Sequence, residues 1–144
     1  MSLTVALNKN SIGYRFRSFD LSNLSSIVTT ARKGLKAKVF YDFAESIKMP
    51  EKHLAALINI SSRTMSNYKN EQRVLDPIYG EHLLKLISLF EKGEEIFGNI
   101  DEFNYWLKKP FWHNKTSPGD LINTIGGVDL IIEELDKLAT GYPL

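Results

Sequence analysis

Apolar residues recur at three- and four-residue steps along most of this chain, the spacing that keeps one face of an α-helix out of water. Leu24, Ile27, Val28 and Ala31 follow it up to Gly34, and Val39, Phe40, Phe43, Ala44 and Ile47 follow it up to Pro50. Two short segments come next, Glu51–Ile58 and Ser61–Asn70. Asp76-Pro77 then supplies a cap and a first-turn proline to a long helix striped by Leu83, Leu86, Ile87, Phe90 and Phe97 and closed by Gly98. Glu81, Lys85, Glu91 and Lys92 are expected on its water-facing side.

The last third reads the same way. Asn99 with Glu102 has the form of a capping box for a helix lined by Ile100, Phe103, Trp106 and Leu107, and Pro110 forbids its continuation. Ser117-Pro118-Gly119-Asp120 is a second start signal, and Gly126-Gly127 is read as the stop of the short helix that follows. Val128, Ile131, Ile132, Leu135 and Leu138 stripe a final helix that points Glu133, Glu134, Asp136 and Lys137 outward and ends at Gly141. Only Leu3, Val5 and Leu7 alternate like a strand, in a stretch that reads equally well as disordered. The expectation is an all-α protein of seven or eight helices.

Within that series, EKHLAALINISSRTMSNYKN has the requirements of a helix-turn-helix in order. Two helices crossing at a fixed angle need a small residue at their contact, a turn residue tolerant of positive φ, and buried anchors on the second helix. Ala55, Asn59, and the pair Met65 and Tyr68 fill these places, while Leu54, Leu57 and Ile58 face the core. The outward residues of the second helix are then Ser62, Arg63, Thr64, Ser66, Asn67 and Lys69. All six can hydrogen-bond to phosphates or base edges in a major groove. The same geometry also occurs as a purely structural element. A reading head with one arginine binds weakly alone, so two copies on a pseudo-palindromic site are expected.

Charge sharpens the division between the two ends of the chain. The net value is only +1, yet residues 1–75 hold twelve Lys and Arg against five Asp and Glu, and residues 76–144 hold six against twelve. Arg32, Lys33, Lys36 and Lys38 cluster just before the helix-turn-helix. A basic first half suits a polyanion, and an acidic second half suits another partner. Length and composition, 144 residues with 43% hydrophobic and 24% charged, suffice for one domain or for two very small ones sharing a core.

Composition also removes whole classes of chemistry. With no cysteine, there is no disulfide framework, thiolate nucleophile or cysteine zinc site, which is compatible with a reducing cytoplasm. No apolar run approaches a membrane span, and the first twenty residues lack the form of a secretory signal, so the chain is expected to be soluble and cytoplasmic, with no membrane partner. His53, His82 and His113 are scattered and read as surface residues, without metal-ligand spacing. Glu94-Glu95 and Glu133-Glu134 lie on solvated helical faces. No catalytic residue, metal site or cofactor site is expected, and the chain is read as a non-enzyme.

The aromatic and turn residues from Asn104 to Gly127 carry a family resemblance. RTMSNYKNEQRVLD, then HLLKLISLFEKGEEIFG, then FNYWLKKPFWHNKTSPGDLINTIGGVDLIIEELDKLATGYP resembles the Xre/MbcA/ParS group of bacterial antitoxins over roughly residues 35–144. The matching positions are Arg63, Thr64, Lys69, Leu75, Phe97, Gly98, Trp106, Leu107, Pro110, Pro118, Leu121, Thr124, Gly127 and Gly141. Departures occur at Phe111–Lys115, where the group has a Gly-rich element, and at Tyr79-Gly80, where it commonly has Glu-Ser. The second short helix also has fewer arginines than is usual in the group.

The resemblance implies an antitoxin of a type II toxin–antitoxin system that blocks the active site of a RES-domain, NAD-degrading toxin and represses its own operon. It implies operator DNA and the toxin as partners, in a homodimer or a larger toxin–antitoxin hetero-oligomer. In that group the last residues of the chain enter the toxin's active-site entrance, which places Gly141, Tyr142, Pro143 and Leu144 at the toxin. Trp106 falls on the Ile100/Phe103 stripe and reads as core, whereas Phe111 and Trp112 lie off it and read as toxin-facing anchors. The organisation that follows is an N-terminal extension with a first helix over 1–34, a DNA-binding and dimerisation unit over 35–98, and a toxin-binding unit over 99–144. A helical adaptor, or a transcriptional regulator without a toxin partner, is the alternative.

Overall fold

The computed structural model describes residues 8–110 and 115–141. Among them the chain forms eight α-helices, one 3-10 turn and a two-residue strand pair, so the all-α expectation holds. The helices are α1 (Ile12–Arg15), α2 (Leu24–Lys33), α3 (Ala37–Ser46), α4 (Glu51–Leu57), α5 (Ser62–Asn70), α6 (Pro77–Phe97), α7 (Ile100–Lys108) and α8 (Ile125–Ala139). Strands β1 (Leu35–Lys36) and β2 (Val74–Leu75) pair antiparallel, Leu35 opposite Leu75 and Lys36 opposite Val74. Such a ladder is too short for alternation to reveal, and its function is to bring the entry of α3 beside the exit of α5. The alternating residues Leu3, Val5 and Leu7 lie outside the described residues.

Local chemistry sets most helix ends. Asn23, Ser61, Asn99 and Thr124 each cap a helix by accepting a hydrogen bond from a backbone N–H three residues on. Gly98 ends α6 in the left-handed conformation at φ 93°, where a β-carbon is unfavourable. Ser11 caps α1 in the same way, accepting from the Tyr14 N–H, and Glu94 on α6 adds a distant acceptor there for the Ile12 N–H at 2.8 Å. That bond and the complete burial of Ile12 give the N-terminal segment a fixed place that periodicity does not announce.

Helix α6 is the strut. It packs against α1, α2, α7 and α8, and most residues of its middle turns are buried. The expectation of a water-facing side therefore fails for Lys85, which is buried, and for Glu91, which is half-buried. Burial, with Glu95 second, raises the Glu91 carboxyl above its ordinary value, while Lys92 opposes the shift. His82, read as a surface histidine, is also buried; its Nε2 lies 3.0 Å from the Ile122 carbonyl. Desolvation lowers its proton affinity, so the neutral ring donating to that carbonyl is the species that fits.

A run of rings ties the chain's parts into one core. Phe16 meets Phe43, Phe43 meets Phe90, and Phe90 meets Phe103, each edge to face. Phe103 then stacks with Phe97 and Trp106, so Trp106 lies against the core as its stripe suggested. Helices α6 and α8 are registered in parallel by two ion pairs one heptad apart, Lys85 to Asp129 at 2.8 Å and Lys92 to Asp136 at 2.6 Å.

These two pairs differ in consequence. The Lys85 side chain is only 8% exposed, whereas Asp129 is half exposed. Asp129→Ala leaves a buried ammonium without its carboxylate, and water reaching the site moderates the loss to about 1–2 kcal/mol. Replacing both members, Lys85→Met with Asp129→Leu, removes the buried charge as well and leaves stability level or higher. Urea unfolding of the two variants measures the contrast; equal losses would contradict it.

The second half corrects one start signal. Ser117–Asp120 does begin a turn, with the Asp120 carboxylate accepting from the Ser117 N–H at 2.9 Å, but it is a single 3-10 turn. Gly126-Gly127 does not stop it. Both glycines lie in the first turn of α8, behind the cap Thr124, whose hydroxyl accepts from the Gly127 N–H at 3.0 Å. A glycine pair suggests a breaker, yet the cap decides where a helix begins.

Candidate nucleic-acid interface

The two-helix unit forms as its sequence requires. Ala55 is buried where α4 meets α5, and Asn59 takes the left-handed conformation at φ 64° in the turn. The chain then re-enters through Ile60, whose N–H bonds to the Ala55 carbonyl at 3.0 Å. Met65 and Tyr68 are the buried residues of α5, and burial, with Asp76 at the head of α6 second, raises the Tyr68 phenol above its ordinary value. These anchors fix the rotation of α5 about its axis.

Rotation decides what α5 shows to solvent. Ser62, Arg63, Thr64, Ser66, Asn67 and Lys69 are all exposed. Arg63 and Asn67 lie four residues apart, so they share one edge of the helix and can reach one stretch of groove. Their side chains match the chemistry of base edges, guanidinium to guanine and carboxamide to adenine. Thr64 accepts from the Ser61 hydroxyl at 2.8 Å and thereby belongs to the cap of α5.

Ser66 and Lys69 turn toward α3. Ser66 lines a cleft together with Tyr41, and the Lys69 ammonium stands 4.6 Å above the Tyr41 ring. Burial raises the ionisation of Tyr41 above the usual phenol range, so the ring is neutral in any physiological medium. A cation held over an aromatic face retains its charge and gains a preferred position.

Beside this edge is a concavity of about 550 Å³ formed by the start of α3, the end of α5 and β2. Lys36, Lys38, Lys69 and Arg73 line it, with Tyr41 and Val74 as its apolar floor. In sequence, Lys36 and Lys38 belong only to a basic cluster upstream of the helix-turn-helix, and nothing marks Arg73. The missing signal was the β1/β2 ladder, which places Lys36 directly opposite Val74, the residue after Arg73.

The C-terminal candidates have a different standing. Phe111, Trp112, Tyr142, Pro143 and Leu144 lie outside the described residues. Gly141 is exposed at φ 80° just beyond α8, a conformation suited to releasing a helix. The turn before α8 contacts the helix-turn-helix directly, because the Asn59 carboxamide donates to the Asn123 carbonyl at 3.0 Å. Among the described residues no group of His, Asp or Glu is placed to hold a metal ion, and no helix is long and apolar enough to cross a membrane.

Comparison with curated proteins finds no match. A family model does match, over a span from the first turn of α2 to the middle of α6 that includes the whole exposed face of α5. Residues 26–88 of this chain match the antitoxin Xre-like helix-turn-helix domain.

Proposed function

We propose that the chain is the antitoxin of a type II toxin–antitoxin system, which represses its own operon through α5 and neutralises a RES-domain, NAD-degrading toxin through its C-terminal unit. The observation that carries this reading is the polar, exposed face of α5, with Arg63 and Asn67 on one edge, inside a segment matched by an antitoxin helix-turn-helix family. Ser62, Arg63, Thr64, Ser66, Asn67 and Lys69 meet operator DNA as a homodimer, because a single short reading helix has too few base contacts for specific binding. No catalytic step is assigned to the chain.

The toxin half rests on the resemblance of residues 99–144. Phe111 and Trp112 provide aromatic anchors, and Gly141-Tyr142-Pro143-Leu144 forms the plug that enters the toxin's active site. Its acidic balance distinguishes it from the basic half that faces DNA.

Two variants separate the activities when the chain is co-expressed with the RES-domain product of its neighbouring gene. Arg63→Ala weakens binding to the upstream DNA about tenfold, the loss of one good base contact, and leaves growth rescue intact. Deleting residues 142–144 has the opposite pattern, with DNA binding kept and rescue lost. A parent chain that neither shifts the upstream DNA nor co-purifies with that toxin would remove the proposal.

A further inference from the structure

The concavity beside α5 is strongly cationic, and the reading helix alone does not account for it. Lys36, Lys38, Lys69 and Arg73 converge there from two segments more than thirty residues apart in sequence, joined by the β1/β2 ladder. No carboxylate lines it. Asp42 bonds to Lys38 one turn along α3, and Glu71 approaches Arg73 at 3.7 Å, so acidic groups touch only its margins. Lys36 and Lys69 form no ion pair among the described residues.

Two of the four cations are held in place by rings. Lys69 stands over Tyr41, and the Arg73 guanidinium lies 4.8 Å from the Tyr68 ring centre. Tyr68 is also a buried anchor of α5, so the position of Arg73 is tied to the rotation of the reading helix. Ring contacts position these cations without neutralising them, which leaves their charge for an external anion.

We propose that this concavity seats backbone phosphates of duplex DNA beside the groove that α5 enters, as a sequence-independent clamp. The inference rests on the DNA-reading assignment above. Phosphodiester oxygens complement the four cations, and contacts of this kind set register and orientation while base edges set sequence. Lys36 and Arg73, the latter only loosely paired with Glu71 at 3.7 Å, are its principal contacts, Lys69 supports them, and Lys38, held by Asp42 at 2.6 Å, contributes least.

The test is the salt dependence of binding to the upstream DNA and to an unrelated duplex, compared for the parent chain, Lys36→Gln/Arg73→Gln and Arg63→Ala. Loss of two phosphate contacts lowers the slope of log K against log salt by roughly 1.8 and weakens both duplexes alike. Arg63→Ala lowers the preference for the upstream DNA while leaving most of the slope. Thermal melts confirm that each variant is folded.

An unchanged slope in Lys36→Gln/Arg73→Gln, with the parent binding and Arg63→Ala reducing specificity, overturns the clamp and leaves the DNA reading in place. A parent with no salt-sensitive binding overturns both. Inorganic phosphate and pyrophosphate titrated against the DNA-free parent distinguish the sources of the anion. Weak, unsaturated binding supports the DNA clamp, and saturation at micromolar concentration that Lys36→Gln/Arg73→Gln abolishes replaces it with a site for a free phosphorylated ligand.

Discussion

Phe90→Ala lowers the free energy of unfolding by about 3–5 kcal/mol, a large part of the stability of a domain this size. The ring is fully buried on α6, with Phe43 of α3 edge-on at 5.6 Å and Phe103 of α7 edge-on at 5.0 Å. Truncation removes both aromatic contacts and leaves a cavity between three helices that cannot all close on it, because each is held elsewhere. Asn104 on α7 donates to the Ile47 carbonyl at the end of α3 at 3.0 Å, and Lys48 pairs with Asp101 at 2.9 Å. The same ring joins the helices beside the helix-turn-helix to the C-terminal helices, so the loss appears in a single transition that weakens both. Denaturant unfolding followed at far-ultraviolet and tryptophan wavelengths checks this, since Trp106 reports on the α7 side. Two separated transitions, with only one shifted, would show that the core is not continuous in energy.

What could be read from sequence depended on how each helix is buried. Helices α2, α3, α7 and α8 bury one face, and their stripes predicted most of the residues that lie inside, the exception being Leu24, which is exposed at the start of α2. The outward face of α5 was legible for the same reason, because Met65 and Tyr68 at a three-residue step leave one rotation possible. Helix α6 is buried differently. Its middle is packed by four helices, so only Ser88 and the Glu91/Lys92 edge keep partial access to water, and Lys85 and His82 satisfy their polar atoms on α8 and on the turn before it. Periodicity assigns a residue to a face but does not tell whether another helix covers that face.

Long-range contacts were hidden for a related reason. Nothing near Lys36 in sequence reveals Arg73, and nothing near Asn59 reveals the Asn123 carbonyl that its side chain holds. Asn59 was legible as a turn residue because the turn demands positive φ, a local constraint. Its second role, binding the turn before α8, is tertiary and leaves no local trace. The resemblance picked out Thr124 and Gly127 without a physical reason, and that reason becomes plain only in the three-dimensional arrangement.

Gly127→Ala costs about 3 kcal/mol, whereas Gly126→Ala, one residue away, stabilises the chain by roughly 0.5–1 kcal/mol. A β-carbon on Gly127 collides with the Leu121 carbonyl oxygen and stands 2.8 Å from the Leu121 carbonyl carbon, with the Thr124 hydroxyl at 3.0 Å. The obstacle is backbone rather than the end of a flexible side chain. That backbone is also pinned, because the next two carbonyls, of Ile122 and Asn123, are bonded to His82 and Asn59. Relief therefore requires the Thr124 cap to break and α8 to start later, or the turn to leave His82, and the second route leaves the buried His82 ring without its partner. Gly126 has open space around its Cα, so a methyl there adds helix propensity and nothing else. Paired thermal melts give opposite signs for the two substitutions. Because Asn59 lies in the turn that orients α5, the proposed DNA-reading role carries a further expectation: Gly127→Ala, at a temperature where it remains folded, loosens binding to the upstream DNA, and Gly126→Ala leaves it unchanged. Equal effects from the two alanines would mean that this turn is not the fixed joint between the helix-turn-helix and α8.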